Sequence, residues 1–152
     1  MTSEVTDVSR AERIARFLTD EGFRPAIDDG DVSFKYQGRR LFVAIDEKDE
    51  DYYRVMKLDF WPIESGAERR AARWAASEAG RKTKGVKIFL HEDDVSASVD
   101  LLVPDVDSLL KVLLRAVELC AVGAERFGEL VGQFPDEEEA DETTGSGAKE
   151  GA

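Results

Sequence analysis

Several stretches of the chain hold residue types that perform chemistry in other proteins, and each can be judged by what that chemistry requires. Gly80-Arg81-Lys82-Thr83-Lys84-Gly85 has the glycines, lysines and hydroxyl of a phosphate-cradling loop. Such a loop needs Lys and Ser or Thr directly after its second glycine, at a turn from strand into helix. Here Val86 follows Gly85 and the local order reads helix into strand, so a basic linker accounts for the stretch. Asp28-Asp29-Gly30-Asp31 has the acids of a calcium loop but neither the alternating ligands nor the distal bidentate glutamate, and a hairpin turn explains it. The acids from Asp46 to Asp51 read as a solvated connection, because charge runs between elements are solvated.

His91 is the single histidine, and Glu92, Asp93 and Asp94 adjoin it. One imidazole without converging ligands elsewhere is not a transition-metal site, so His91 is expected to be an exposed turn residue. Cys120 is the single cysteine; it cannot form an intrachain disulfide and falls in an apolar helical pattern, as a small buried hydrophobe does. No Ser-His-Asp or Cys-His constellation can be assembled unless His91 and Cys120 meet. The expectation is therefore no catalytic residue, no metal and no cofactor.

Two groups remain as candidate binding residues. Tyr52, Tyr53, Phe60 and Trp61 crowd a segment with no clean period, beside the acidic connection. Aromatics left partly exposed there would anchor an apolar, basic partner segment, with charge steering the encounter and ring burial supplying affinity. The second group is the local charge reversal of Arg69, Arg70, Arg73, Arg81, Lys82, Lys84 and Lys87. It reads as a solvated helix face. The alternative is a small-anion or nucleotide sensor using Arg69, Arg73, Lys82 and Lys84, and an acidic partner or the chain's own tail could also dock there.

The elements that must position these residues follow from period and caps. Ser9 with Glu12 forms a capping box, and Ile14, Phe17 and Leu18 recur at helical spacing up to Gly22, which predicts a helix over about 9–21. Arg24 to Ile45 then reads as a three-stranded meander. With Gln37-Gly38 as a two-residue loop, Phe34 faces Leu41 and Val32 faces Val43; with Asp29-Gly30 as a type I′ loop, Ile27 faces Val32. Pro25 confines the first strand to an edge. Tyr52 to Ile63 mixes strand and loop signals and is expected to be irregular or extended, giving five strands in all.

Ser65 with Glu68 opens a second helix expected to last to Gly80, with Ala67, Ala71, Trp74, Ala75 and Ala79 on one arc. A second hairpin pairs Leu90 with Val95, Ile88 with Ala97 and Val86 with Val99. Asp105 caps a last helix whose apolar sector is wider than one sheet contact needs, so it should have two apolar neighbours: the sheet, and either the first helix or a second subunit. Gly123 costs about 1 kcal/mol relative to alanine inside a helix, so a kink or early end is expected there.

The 152 residues have room for one domain, placed at 9–133. Hydrophobic content of 42% with 36% charged residues is that of a soluble chain, and no apolar run approaches the ~18 residues of a membrane span. The polar start, Met1 to Arg10, has no signal-peptide core, which points to the cytoplasm. The net charge of -12 disfavours phosphate backbones and anionic membranes, so neither nucleic acid nor membrane is expected as a partner. Half of that excess lies in an acidic tail, residues 134–152, expected to be disordered because it lacks apolar residues to offset ordering entropy.

The order helix, three strands, helix, two strands, helix, with Glu21-Gly22-Phe23, Phe34-x-Tyr36-x-Gly38-x-x-x-Phe42, Phe60-Trp61 and Val86-Lys87-Ile88, resembles the bacterial YbjN-domain family over about Ser9 to Val131. That family looks like the secretion-chaperone fold of type III systems. The chain departs from it after the second helix, with Ala79-Gly80 where the family has an asparagine. The resemblance implies an α+β domain, α-β-β-β-α-β-β-α, with an antiparallel sheet covered by helices. It also implies a non-enzymatic, chaperone-like or regulatory protein-binding adaptor, dimeric, holding an extended partner segment.

Overall fold

Two dipeptides set the first half of the sheet. In the computed structural model, which describes residues 8–135, Asp29 and Gly30 have φ of 52° and 83°, and Gln37 and Gly38 have 53° and 78°. Positive φ at both central residues defines the type I′ turn, whose twist matches the strands it joins. Strands β1 (Ala26–Asp28), β2 (Asp31–Tyr36) and β3 (Arg39–Ile45) therefore pair in the expected register: Ile27 with Val32, Val32 with Val43, Phe34 with Leu41. β1 is an edge, and Pro25 immediately precedes it.

Helix α1 (Arg10–Asp20) leads into this meander. The Ser9 hydroxyl accepts from the Glu12 N–H, and at the other end Gly22 takes φ 97° while Phe23 N–H donates to Leu18 O and Gly22 N–H to Thr19 O. These two reversed bonds are the Schellman arrangement, which needs a residue tolerant of left-handed backbone at the glycine. Phe23 then lays its ring 5.4 Å from that of Phe34.

Tyr52–Pro62, expected to be irregular or extended, is instead β4, the longest strand and a central one. The sheet thus has six strands rather than five, ordered β1-β2-β3-β4-β6-β5 and antiparallel throughout, with β5 at Val86–Leu90 and β6 at Asp94–Leu102. The strand order along the chain is hidden because β4 pairs with β6 across an intervening helix, and its own alternation breaks at an irregularity between Lys57 and Trp61. The second hairpin has the expected register, Val86 to Val99, Ile88 to Ala97, Leu90 to Val95.

All three helices of the described residues cover one face of this sheet. That face carries Val32, Phe34, Leu41, Val43, Tyr53, Val55 and Val99, all buried, over which α1 and the long helix α3 (Val106–Val131) bury Ile14, Leu18, Leu109, Leu113 and Cys120. Helix α2 (Gly66–Lys82) closes the β5 end of the sheet against α3. It runs through Gly80 instead of stopping there, and its buried arc is Ala72, Ala75, Ala76 and Ala79; Ala67 is exposed. The wide apolar sector of α3 is accounted for by the sheet together with both other helices, α1 beside its first half, where Arg13 pairs with Asp107, and α2 beside its second, where Arg126 donates to Thr83 Oγ1 at 2.9 Å.

Gly123 does not end α3, which continues through it to Val131. A Cβ there would lie 2.6 Å from Val86 Cγ1, so the missing side chain is what lets helix and strand approach. Phe134 extends the described chain, with its ring 5.8 Å from that of Trp74. The acidic stretch from Asp136 on, expected to be disordered, lies outside the described residues.

Candidate functional site

On β4 the alternation Tyr53, Val55, Lys57 points toward the helices. After Lys57 pairs with Ala97, the next pair is Trp61 with Val95: three residues of β4 stand opposite Ser96 alone. Such an insertion bends the strand and re-aims side chains. Asp59 takes φ 49° at its centre, and the Asp59 N–H donates to Ser96 Oγ at 3.0 Å, fixing the bulge to β6. Phe60, which plain alternation would send to the opposite face, comes round beside Trp61. Both rings meet Phe127 of α3 edge-on, with centroids 5.5 Å away in each case.

The bend opens a cleft of about 450 Å³ between β4, α3 and the β2–β3 turn. Phe60 and Trp61 form one wall, Tyr36 and Arg39 the other. Ala121, Ala124 and Gly128 recur on one stripe of α3 and leave the space that larger side chains would fill, with Glu125 beside them. The lining is mixed, since Gln37, Arg39, Lys57 and Glu125 add polar and charged groups to the aromatic walls, and a cleft of this size has room for a ligand or a partner side chain.

Lys57 brings a charge into this space. Burial lowers the pKa of its ammonium, the neighbouring Arg39 lowers it further, and Cys120 and Glu125 act in the opposite sense. Its Nζ stands 5.5 Å from the Phe60 ring centroid, a cation–π distance. Among the described residues it has no ion pair and no hydrogen bond.

The four aromatics expected as one partner-binding site are not together. Tyr53 is 0% exposed, in the core, its hydroxyl accepting from Arg10 Nη1 at 3.2 Å; it is not a surface anchor, because β4 is a central strand and Tyr53 lies on its helix-covered face. Tyr52 lies on the opposite, uncovered face and donates to Asp100 Oδ2 at 3.0 Å. Burial and the bond to Asp100 raise its pKa. Only Phe60 and Trp61 share a site.

The basic residues of the alternative anion site also disperse. Arg69 donates to the carbonyls of His91, at 2.9 Å, and Glu92, tying α2 to the β5–β6 turn. Lys82 stands 4.0 Å from Glu78, and Arg73 and Lys84 are exposed. Residues 69 and 82 are about 20 Å apart along the helix at 1.5 Å per residue, too far to share one small anion. His91 is exposed, with Nε2 2.8 Å from Ser96 Oγ, and Cys120 is buried with its thiol pushed up to about 12 by burial. Among the described residues no group of three or more His, Cys, Asp or Glu is placed to hold a metal ion, and no helix is long and apolar enough to cross a membrane.

Sequence reasoning misses Lys57, Arg39, Tyr36 and Glu125. The usable signal is a lysine continuing the row Tyr53, Val55: a charge in the core register of a strand marks a cavity or a strand end. Comparison of the chain with models of known protein families gives no match, and comparison with curated proteins gives no relative.

Proposed function

We propose that the chain is a non-enzymatic protein-binding module, an adaptor or chaperone-like protein working in the cytoplasm, that holds a partner segment in the cleft beside Phe60 and Trp61. One observation carries this reading: two half-buried aromatic rings, backed by Phe127, wall an open cleft whose helical floor is alanine and glycine. Ring burial in a preformed pocket is the commonest source of affinity at protein interfaces. The resemblance to the YbjN-domain family supports the same reading and its dimeric form. Pairing of two chains is also favoured by apolar side chains the fold leaves outside, Leu102 at 79% exposure and Leu58, Val112 and Leu114 at 37–40%.

The test is capture of a partner from the native lysate on the immobilised full chain and on its Trp61→Ala variant. A partner held by the wild type and weakened at least about tenfold by Trp61→Ala, while the variant still unfolds cooperatively, is the expected result. Equal capture by both would move the binding surface away from the cleft and overturn the reading.

A further inference from the structure

The cleft carries a second feature that an apolar partner segment alone does not explain. Lys57 occupies the core-facing row of β4, and an ammonium there loses hydration without gaining an ion pair or hydrogen bond from the described residues. Arg39 lines the same space and adds a second cation, so two like charges face one cavity. Glu125 also lines it but makes no ion pair with either. The summed charge of the three is one positive. The Lys57 ammonium is partly desolvated, Arg39 stands exposed beside it, and Glu125 pairs with neither, so a ligand anion between the two cations would supply the missing partner.

Resting on the reading of the cleft as a binding site, we propose that Lys57 and Arg39 recognise a carboxylate whose apolar body lies against Phe60 and Trp61. The net charge of one matches a monoanion; a dianionic phosphate would bring its second charge toward Glu125. The aromatic walls suit an aryl or alkyl body, and the volume of about 450 Å³ admits one side chain or one small acid. The same carboxylate chemistry is borne by a free small organic acid and by the C-terminus of a peptide.

The alternative is a lysine that snorkels along its strand with its charge resting on the Phe60 ring. The two are separated by amide NMR titration of the full chain with 3-phenylpropionate, with its uncharged amide, and with a short peptide ending in Leu-Phe as the free acid or the C-terminal amide. The acids are expected to shift Trp61, Lys57 and Arg39 resonances and to bind at least about tenfold tighter than their amides. Lys57→Met keeps the apolar stem and is expected to abolish that difference; Lys57→Gln is the second variant should methionine refill the cleft. Tighter binding of the peptide acid than of phenylpropionate assigns the site to a peptide terminus, and the reverse assigns it to a small acid.

Equal binding of acid and amide, no shifts with either acid, or an unchanged preference in both Lys57 variants, would overturn the carboxylate proposal. The wider reading fails separately, when partner capture proves indifferent to Trp61→Ala although the acids still bind.

Discussion

Gly123→Ala should destabilise the protein although every local rule favours it. Alanine in a helix interior gains about 1 kcal/mol over glycine. The new Cβ, however, would sit 2.6 Å from Val86 Cγ1 and 3.1 Å from both Val86 Cβ and Cγ2, and must open to at least 3.4 Å for ordinary contact. Rotating Val86 does not relieve this, because its Cβ is fixed by the backbone and is itself too close. The strand start is also held: Gly85 precedes it at φ 68°, and Thr83 is bound by Arg126. Overpacking of this kind costs about 1–3 kcal/mol, here at the upper end, leaving a net loss of about 1–2 kcal/mol. Urea unfolding followed by circular dichroism measures it. In a Val86→Ala background the two Cγ contacts, including the closest at 2.6 Å, are gone and only the 3.1 Å approach to Cβ remains, so the same Gly123→Ala change should cost at least about 1 kcal/mol less than in the wild type. Stabilisation in the wild-type background, or an equal effect in both, would refute the close approach of α3 and β5.

Tyr53→Ala should cost about 3–5 kcal/mol in urea unfolding, since the ring is wholly buried, whereas Tyr53→Phe should cost about 1 kcal/mol, losing only the bond from Arg10. The Cys120 thiol, at about 12 when folded against an ordinary 9.0, contributes stability that is fully present below pH 9 and is lost as pH rises toward 12. Wild type should therefore lose stability more steeply over that window than Cys120→Ala, and parallel curves would show the thiol to be solvated. Asp100 is held below the usual carboxylate range: its partial burial opposes this, but hydrogen bonds from Lys87, Ser98 and Tyr52 prevail. Its contribution is present above the ordinary carboxylate pKa and lost as pH falls through the folded value, so Asp100→Asn should flatten the acid limb of the stability curve. Light scattering at tens of micromolar should give the mass of two chains; a monomer there would defeat the dimer proposal.

What could be read from the sequence depended on whether the deciding interaction was local. The two hairpin registers are local: Asp29-Gly30 and Gln37-Gly38 impose the turn, and a one-residue slip would turn Phe34, Leu41, Val32 and Val43 outward together. The caps at Ser9, Ser65 and Asp105 are local too, each accepting from an N–H three residues on. Strand β4 is not local. Its partners lie across an acidic loop and across a helix, and the bulge at residues 58–60 erases the period that would have announced it. Without the strand the face of every residue on it is hidden, which is why Tyr53, read from sequence alone, looks like a surface anchor.

The same non-locality produced the cleft. A regular β4 would send Phe60 to the uncovered face and set Trp61 opposite Asp93, two residues beyond its actual partner Val95. The bulge instead turns both rings onto Phe127, with Trp61 packed over Gly128, and the small Ala121 and Ala124 leave space beside them. Bulges disrupt ladder pairing, and this one also sets a non-glycine residue, Asp59, in left-handed backbone. A strand optimised for stability alone would lack both the irregularity and the lysine before it. Their coincidence at one space is the physical reason for placing function there, and it is why Lys57→Met should tighten the fold while removing the ligand preference.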